Sequence, residues 1–281
     1  MEAAINVFPV LKAWTPPYVA DLYRRVRAGG IQFKGDYKTW DAAQKHAEGY
    51  DAEQILEKVR QATHKVIRGE AACERDSVLF DTVPYPLPLI AILLRAASEN
   101  QGRLNVLDFG GALGSSYYQC RGFLAGLSVL RWGVVEQTHY VKCGQREFEN
   151  DTLRFYESVE ACTEAASPQV ILASGVLQYM PDPAQILGLL VRTGANYIVI
   201  DRTPISLSGK QVISVQSVPG ALSRSSYPLW LFNEEQLKAP LQVDYEEIAQ
   251  FDAVDGTLGT GRLKAEFKGF MFQKKNSVGA E

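Results

Sequence analysis

The sequence predicts an α/β fold: a doubly wound, mostly parallel sheet, with a helical cap before it and an antiparallel hairpin after it. Three observations lead there. From residue 104 onward, short apolar runs alternate with helical patterns. The first of those runs ends in a glycine-rich turn. The chain has 281 residues, which suits one large domain or one α/β domain with an appendage. Alternating strands and helices imply parallel pairing by right-handed crossovers, with helices on both faces of the sheet.

Residues 1–100 read as the cap. Pro16 and Pro17 open a helix through Asp21, Leu22 and Val26, which Gly29 and Gly30 end. Residues 33–40 are aromatic and turn-like, and Thr39 is placed to cap a helix beginning at Trp40. Asp51 is placed to cap the next helix, in which Ile55, Leu56, Val59, Ala62 and Val66 fall at helical spacing. A proline-rich turn over 81–88 leads into an apolar helix through Leu89, Ile92, Leu93 and Ala96.

Residues 101–281 read as a Rossmann-like domain. Strands are expected over 104–109, 130–136, 153–156, 170–174 and 197–201, and helices over 115–126, 141–148 and 183–191. Segments 243–251 and 265–273 are expected to pair as an antiparallel hairpin on the sheet edge. Between them and the fifth strand, 203–233 is rich in serine and proline and reads as irregular. A connection of that length is expected to be a substrate lid.

Composition bounds the function. Apolar residues make up 46 % and charged residues 22 %, and the formal net charge is -3. Those are the proportions of a soluble globular protein. The charge gives no support for nucleic acid or an anionic membrane as the main partner, and Arg24, Arg25 and Arg27 read as the solvated face of a helix. Cys73, Cys120, Cys143 and Cys162 stand at no metal-ligand spacing, so no metal site is expected, and such scattered thiols suit a reducing compartment. The start of the chain does not read as a signal peptide, and the greasy stretch 87–94 is too short to span a bilayer. A cytoplasmic location is expected; oligomeric state has no signal.

Ligands of open parallel sheets sit beyond the carboxyl ends of the strands. Here the first strand ends Asp108-Phe109-Gly110-Gly111-Ala112-Leu113-Gly114, and the second ends in Glu136, 22 residues beyond Gly114. Glycine lets backbone approach a ligand closely. A carboxylate at the second strand tip is placed to accept from both ribose hydroxyls of an adenosine. A dinucleotide needs G-x-G-x-x-G, and Ala112 and Ser115 break that pattern. With an acid at Asp108, the loop suits an adenosine carrying a cationic amino-acid end and no phosphate. S-adenosylmethionine is such a ligand.

The segment Val106-Leu107-Asp108-Phe109-Gly110-Gly111-Ala112-Leu113-Gly114 resembles the first motif of class I S-adenosylmethionine-dependent methyltransferases. Val170-Ile171-Leu172-Ala173-Ser174-Gly175-Val176-Leu177-Gln178-Tyr179 resembles their fourth-strand motif. The whole chain resembles a group of methyltransferases associated with bacterial surface-polysaccharide gene clusters. That likeness rests on Phe33-Lys34-Gly35-Asp36-Tyr37 with Trp40, Gly49-Tyr50-Asp51, Arg75-Asp76-Ser77, Ile200-Asp201-Arg202-Thr203-Pro204, and Ser226-Tyr227-Pro228 with Trp230. It implies the cofactor, and a small-molecule or glycan acceptor such as a sugar hydroxyl. Two departures stand out: the family's first motif has glycine where this chain has Ala112, and many relatives have histidine where it has Gln178.

The cofactor-binding residues expected are Asp108, Gly110, Gly111, Gly114, Glu136, Ser174, Gly175 and Leu177. Asp201 is the first choice of general base and Tyr227 the second. Tyr227 and Trp230 either stack on a flat acceptor or anchor the lid, and anchoring is favoured for Phe33, Tyr37 and Trp40. His46, His64 and His139 read as structural. Two other readings are a non-catalytic scaffold that keeps the fold and, disfavoured by the broken fingerprint, a nucleotide-sugar or NAD-dependent enzyme.

Overall fold

A computed structural model describes residues 32–47, 52–218, 225–259 and 263–276. The helix expected before Gly29, the motif Gly49-Tyr50-Asp51 and the cap expected at Asp51 lie outside the described residues.

In chain order the first elements are β1 (Gln32–Tyr37), α1 (Trp40–His46), α2 (Ala52–Ile67), β2 (Cys73–Arg75), β3 (Val78–Phe80) and α3 (Leu87–Glu99). Then come β4 (Arg103–Phe109), α4 (Ser115–Leu124), β5 (Val129–Val135), α5 (Thr138–Glu147), β6 (Leu153–Tyr156), α6 (Val159–Ala166) and β7 (Val170–Ser174). The chain continues with α7 (Pro183–Arg192), β8 (Tyr197–Ser206), β9 (Val212–Val218), β10 (Ser225–Leu231), α8 (Glu234–Lys238), β11 (Tyr245–Leu258) and β12 (Ala265–Lys274). A single turn of 3-10 helix, Leu177–Tyr179, follows β7.

Seven strands form the main sheet in the order β11-β12-β8-β7-β4-β5-β6. The five strands from β8 across to β6 are parallel, whereas β12 lies antiparallel to β8 and β11 antiparallel to β12. Period-two alternation puts successive residues on opposite faces. Val106, Val170, Leu172 and Val199 pack into one core with residues of α3, α4 and α5. Leu107, Ile171, Ala173, Ile198 and Ile200 pack into the other with residues of α6 and α7. The three layers expected of such a chain are present. All four cysteines are buried free thiols, Cys120, Cys143 and Cys162 in these cores and Cys73 on β2.

Two expectations fail. The stretch 33–40 contains a strand, β1, which Gly35 disguises: at φ +79 it sits where the register between Lys34 and Tyr37 slips. And 203–233 is not irregular. β8 runs on to Ser206, and β9 and β10 form a hairpin that pairs with β1 in a separate antiparallel sheet, ordered β1-β9-β10. The serines misled because β9 is covered on both faces. Val212 packs on one side and Ile213 and Val215 on the other. Ser214 is fully buried and its hydroxyl donates to the carbonyl of Lys34. Pro228 is tolerated because β10 is an edge strand. The cap is therefore part helix and part sheet, with α1 packed against β9 and β10 through Ala43 and the Trp40–Trp230 stack. Among the described residues, no helix is long and apolar enough to cross a membrane.

Candidate active site

The chain runs outward from β4 to β5 and β6, then returns to the far side of β4 for β7 and β8. That reversal opens a crevice between the carboxyl ends of β4 and β7. The loop 110–114 enters it. Gly110 has φ +72, and a Cβ there would lie 2.4 Å from the Val176 side chain, so this backbone packs directly on the loop after β7. Ala112 has φ +51, a left-handed conformation that L residues other than Asn and Asp seldom adopt. Gly114, also left-handed, caps α4.

Asp108 lies beneath this loop. Its side chain is 1 % exposed, and the indole Nε1–H of Trp132 donates to its Oδ2 at 3.0 Å. A Cβ on Gly111 would sit 2.5 Å from the carboxyl group, so the loop rests on it. Burial pushes the Asp108 carboxyl up to about 7, against the pull of the Trp132 bond. Asp108 thus supports the loop from below. It does not offer a carboxylate to a ligand's ammonium, the part the sequence suggested.

Glu136 stands just past β5, half-buried. Its Oε1 accepts from the Ala112 backbone N–H at 3.3 Å and its Oε2 from that of Gln137 at 2.8 Å. Burial raises its carboxyl above the usual range, and the two N–H groups and His139 oppose the rise. Each carboxylate oxygen keeps a further acceptor direction. Glu136 therefore ties the second strand tip to the loop and retains capacity for hydroxyl donors.

On the β7 side, Ser174 pairs in register with Asp201, and the Gly175 N–H donates to the Asp201 carbonyl at 2.9 Å. That N–H is committed to β8 and does not point at a ligand. Leu177 is fully buried in the core that holds Leu187 and Ile200, so it does not line the crevice. Asp201 is 8 % exposed. Its Oδ1 accepts from the Arg202 N–H at 2.7 Å, and burial holds its carboxyl above the usual range. Tyr227 lies on the second sheet, away from Asp201 in the hydrogen-bonding pattern: its hydroxyl accepts from Gln216 Nε2 at 3.0 Å, and its ring meets Tyr179 edge-on at 5.2 Å. Trp230 is an anchor, its indole N–H donating to the Met180 carbonyl at 3.0 Å.

The sequence motifs contain Arg202 and Asp76, and the structure shows the partners they were not assigned there. Arg202, at φ +52, makes a two-point bond to Asp255 on β11 (2.8 and 3.2 Å) and a third to Asp76 (2.7 Å). Burial works against its charge, and the two aspartates overcome it, holding the guanidinium well above its ordinary range. Asp76 and Ser77, both left-handed, form the tight turn between β2 and β3. Glu74, on β2, is buried, accepting from the Ser115 hydroxyl at the start of α4 and from the Ser77 N–H at 3.2 Å. Burial pushes Glu74 up to about 7, the Ser115 hydroxyl pulling the other way. The motif Arg75-Asp76-Ser77 falls on this hairpin, which the sequence reading did not predict, and nothing in the spacing pointed to Asp255. Among the described residues, no group of three metal-ligating side chains comes together.

No family model and no curated protein matches the chain. Solved structures similar to it include an S-adenosylmethionine-dependent methyltransferase from Clostridium acetobutylicum, at 10 % identity and a TM-score of 0.41, covering 78 % of this chain and 99 % of that one. Another is the N-terminal domain of EvdMO1, solved in the presence of S-adenosylhomocysteine and D-fucose, at 14 % identity and 0.44, covering 81 % and 98 %. A third is the Burkholderia thailandensis 1,6-didemethyltoxoflavin-N1-methyltransferase, at 14 % identity and 0.42, covering 82 % and 93 %.

Proposed function

We propose that this chain is an S-adenosylmethionine-dependent methyltransferase that acts on a hydroxyl of a small-molecule or glycan acceptor. The observation that carries the reading is the tie between Glu136 and the Ala112 N–H at the sheet's switch point. It brings a carboxylate with spare acceptor capacity to a glycine-rich loop that lacks the dinucleotide spacing. When bound, the cofactor would supply a sulfonium-activated methyl group for transfer to the acceptor oxygen, with its thioether as the leaving group and the hydroxyl proton to be taken up. Glu136 would hold the ribose hydroxyls, the backbone of 110–114 would cradle the amino-acid end, and Asp108 keeps that backbone in place. Alignment and exclusion of water are the protein's main contributions to such a displacement. Asp201, at the carboxyl end of β8 with its affinity for protons increased by burial, takes the acceptor's proton. The sheet β1-β9-β10 covers the acceptor side.

Thermal-shift titration of the full chain with S-adenosylmethionine, S-adenosylhomocysteine and NAD tests this. Either adenosyl ligand at about 100 times its dissociation constant adds roughly 2.7 kcal/mol of stability. Glu136→Ala lowers S-adenosylhomocysteine affinity by roughly ten- to a hundredfold, the worth of hydrogen bonds to a charged acceptor. A shift with NAD alone would sink the proposal.

A further inference from the structure

Among the described residues, one buried side-chain polar atom has no hydrogen-bond partner, and it lies just past β7. Gln178 sits in the 3-10 turn after β7 and is 3 % exposed. Its Nε2 donates to the Arg202 carbonyl at 3.4 Å. Its Oε1 is buried with no hydrogen-bond partner. An unmet buried carbonyl is a net cost to folding, and in a native chain it points to a group that completes it.

The neighbours describe that group. Tyr179 donates to Gln216 Oε1 at 3.5 Å, and Gln216 donates on to Tyr227, so an uncharged chain of amides and phenols bridges the 3-10 turn and the second sheet. Arg202, whose carbonyl Gln178 bonds, is matched by Asp76 and Asp255, and Arg75 on β2 shares the field of the same two aspartates, with Asp201 beside both guanidiniums. Two guanidiniums thus face three aspartates, an arrangement with no surplus of positive charge for a phosphate. What remains is an acceptor oxygen among neutral hydrogen-bonding side chains at the carboxyl ends of β7 and β8.

We infer that Gln178 Oε1, with Tyr179, Gln216 and Tyr227, forms the acceptor subsite, and that the subsite takes a neutral sugar whose hydroxyl donates to Gln178. The inference rests on the methyltransferase reading and specifies its acceptor as an uncharged sugar in place of a sugar nucleotide. Gln178 is a binding residue, and the reacting hydroxyl is a different one on the same ring.

The test uses the full chain saturated with S-adenosylhomocysteine. Binding of D-glucose, D-galactose, N-acetyl-D-glucosamine and uridine diphosphate glucose is followed by saturation-transfer NMR in the wild type and in Gln178→Met. At least one neutral sugar is expected to bind the wild type and to bind Gln178→Met about tenfold more weakly, as the loss of one good hydrogen bond implies. Gln178→Met removes the orphaned carbonyl together with the Nε2 bond to the Arg202 carbonyl, so its melting temperature is recorded beside the binding as the check on folding. Should that variant fold poorly, single-position deoxy analogues of the bound sugar read the same bond on the wild type: one of them loses about tenfold. Equal sugar binding by both proteins, no neutral sugar bound, or binding of the nucleotide sugar alone overturns the inference. S-adenosylhomocysteine affinity, measured in parallel, separates the two levels: if it persists while sugars fail, only the subsite falls, and if it too is absent, the proposed function falls.

Discussion

At the residue scale the acids near the crevice divide by what they touch. Asp108 and Glu74 each bond a neighbouring side chain and hold the loop or the helix that follows it. Glu136 bonds backbone on two segments. Asp201 accepts through Oδ1 from the N–H of the next residue, and its other oxygen is the one proposed for proton transfer. Asp201→Asn is therefore expected to lower kcat by roughly a hundredfold or more, the usual worth of general-base catalysis, with S-adenosylhomocysteine affinity unchanged. Because burial raises the Asp201 carboxyl, activity of the wild type should fall off on the acid side at a pH above the ordinary carboxylate range, and that limb should vanish in the variant. A pH–rate profile with the same acid limb in both proteins would remove Asp201 from the chemistry. The positions Asp108 and Glu136 were legible in the sequence, because strand ends and a 22-residue spacing are local patterns. Their orientation was not. Whether a carboxylate faces a crevice or a Trp132 indole depends on a partner 24 residues away on another strand.

At the element scale the chain is two sheets meeting along β8. Its second half leaves the parallel sheet and bridges to Phe232, while the Ser206 N–H donates to the Phe232 carbonyl at 2.8 Å. Leu229 is fully buried between the two sheets, in a cluster with Phe33, Val212, Leu231 and Ala265. Leu229→Ala is expected to cost about 2–5 kcal/mol. If the second sheet covers the acceptor, the variant loses acceptor turnover and keeps its S-adenosylhomocysteine affinity within about twofold. Calorimetric titration beside a turnover assay decides: a matching loss of cofactor affinity would show that the second sheet is not a separate acceptor cover. The main sheet was readable because its strands are short apolar runs between helical patterns. The second sheet was not. Ser214 and Gln216 occupy buried positions of β9, where apolar residues are the usual sign, and their hydrogen bonds reach beyond their own strand.

At the scale of the molecule, two sets of ionisable groups set the pH dependence of stability with opposite signs. Glu147 is pulled down to about 2 by Arg146, His64 and Arg60. Its contribution is present above the ordinary value of 4.5 and is lost as pH falls toward 2. Asp108 and Glu74 are pushed up to about 7 by burial. Their neutral forms are the ones the fold favours, so that contribution is complete below the ordinary carboxylate range and is lost as pH rises through about 7. Melting temperature is therefore expected to peak near the ordinary carboxylate value of 4.5, to fall on the acid side toward 2, and to fall on the other side up to about 7, where it levels off. Asp108→Asn, which keeps an acceptor for Trp132 and removes the titration, should flatten the decline between the ordinary value of 3.8 and about 7. A scanning-calorimetry series whose melting temperature climbs steadily from about pH 5 to about pH 8 would contradict this assignment.

The pairing of β1 with β9 also orders events in time. Ser214 and Lys34, joined across that pair, are 180 residues apart in the chain. A ribosome adding about 5–20 residues per second leaves roughly ten to forty seconds between the synthesis of one strand and of its partner. The parallel sheet is built mostly from residues that emerge in between. The nascent chain thus completes most of its cofactor half while β1 still waits for β9, and the long loop closure that joins them comes among the last and slowest steps of folding.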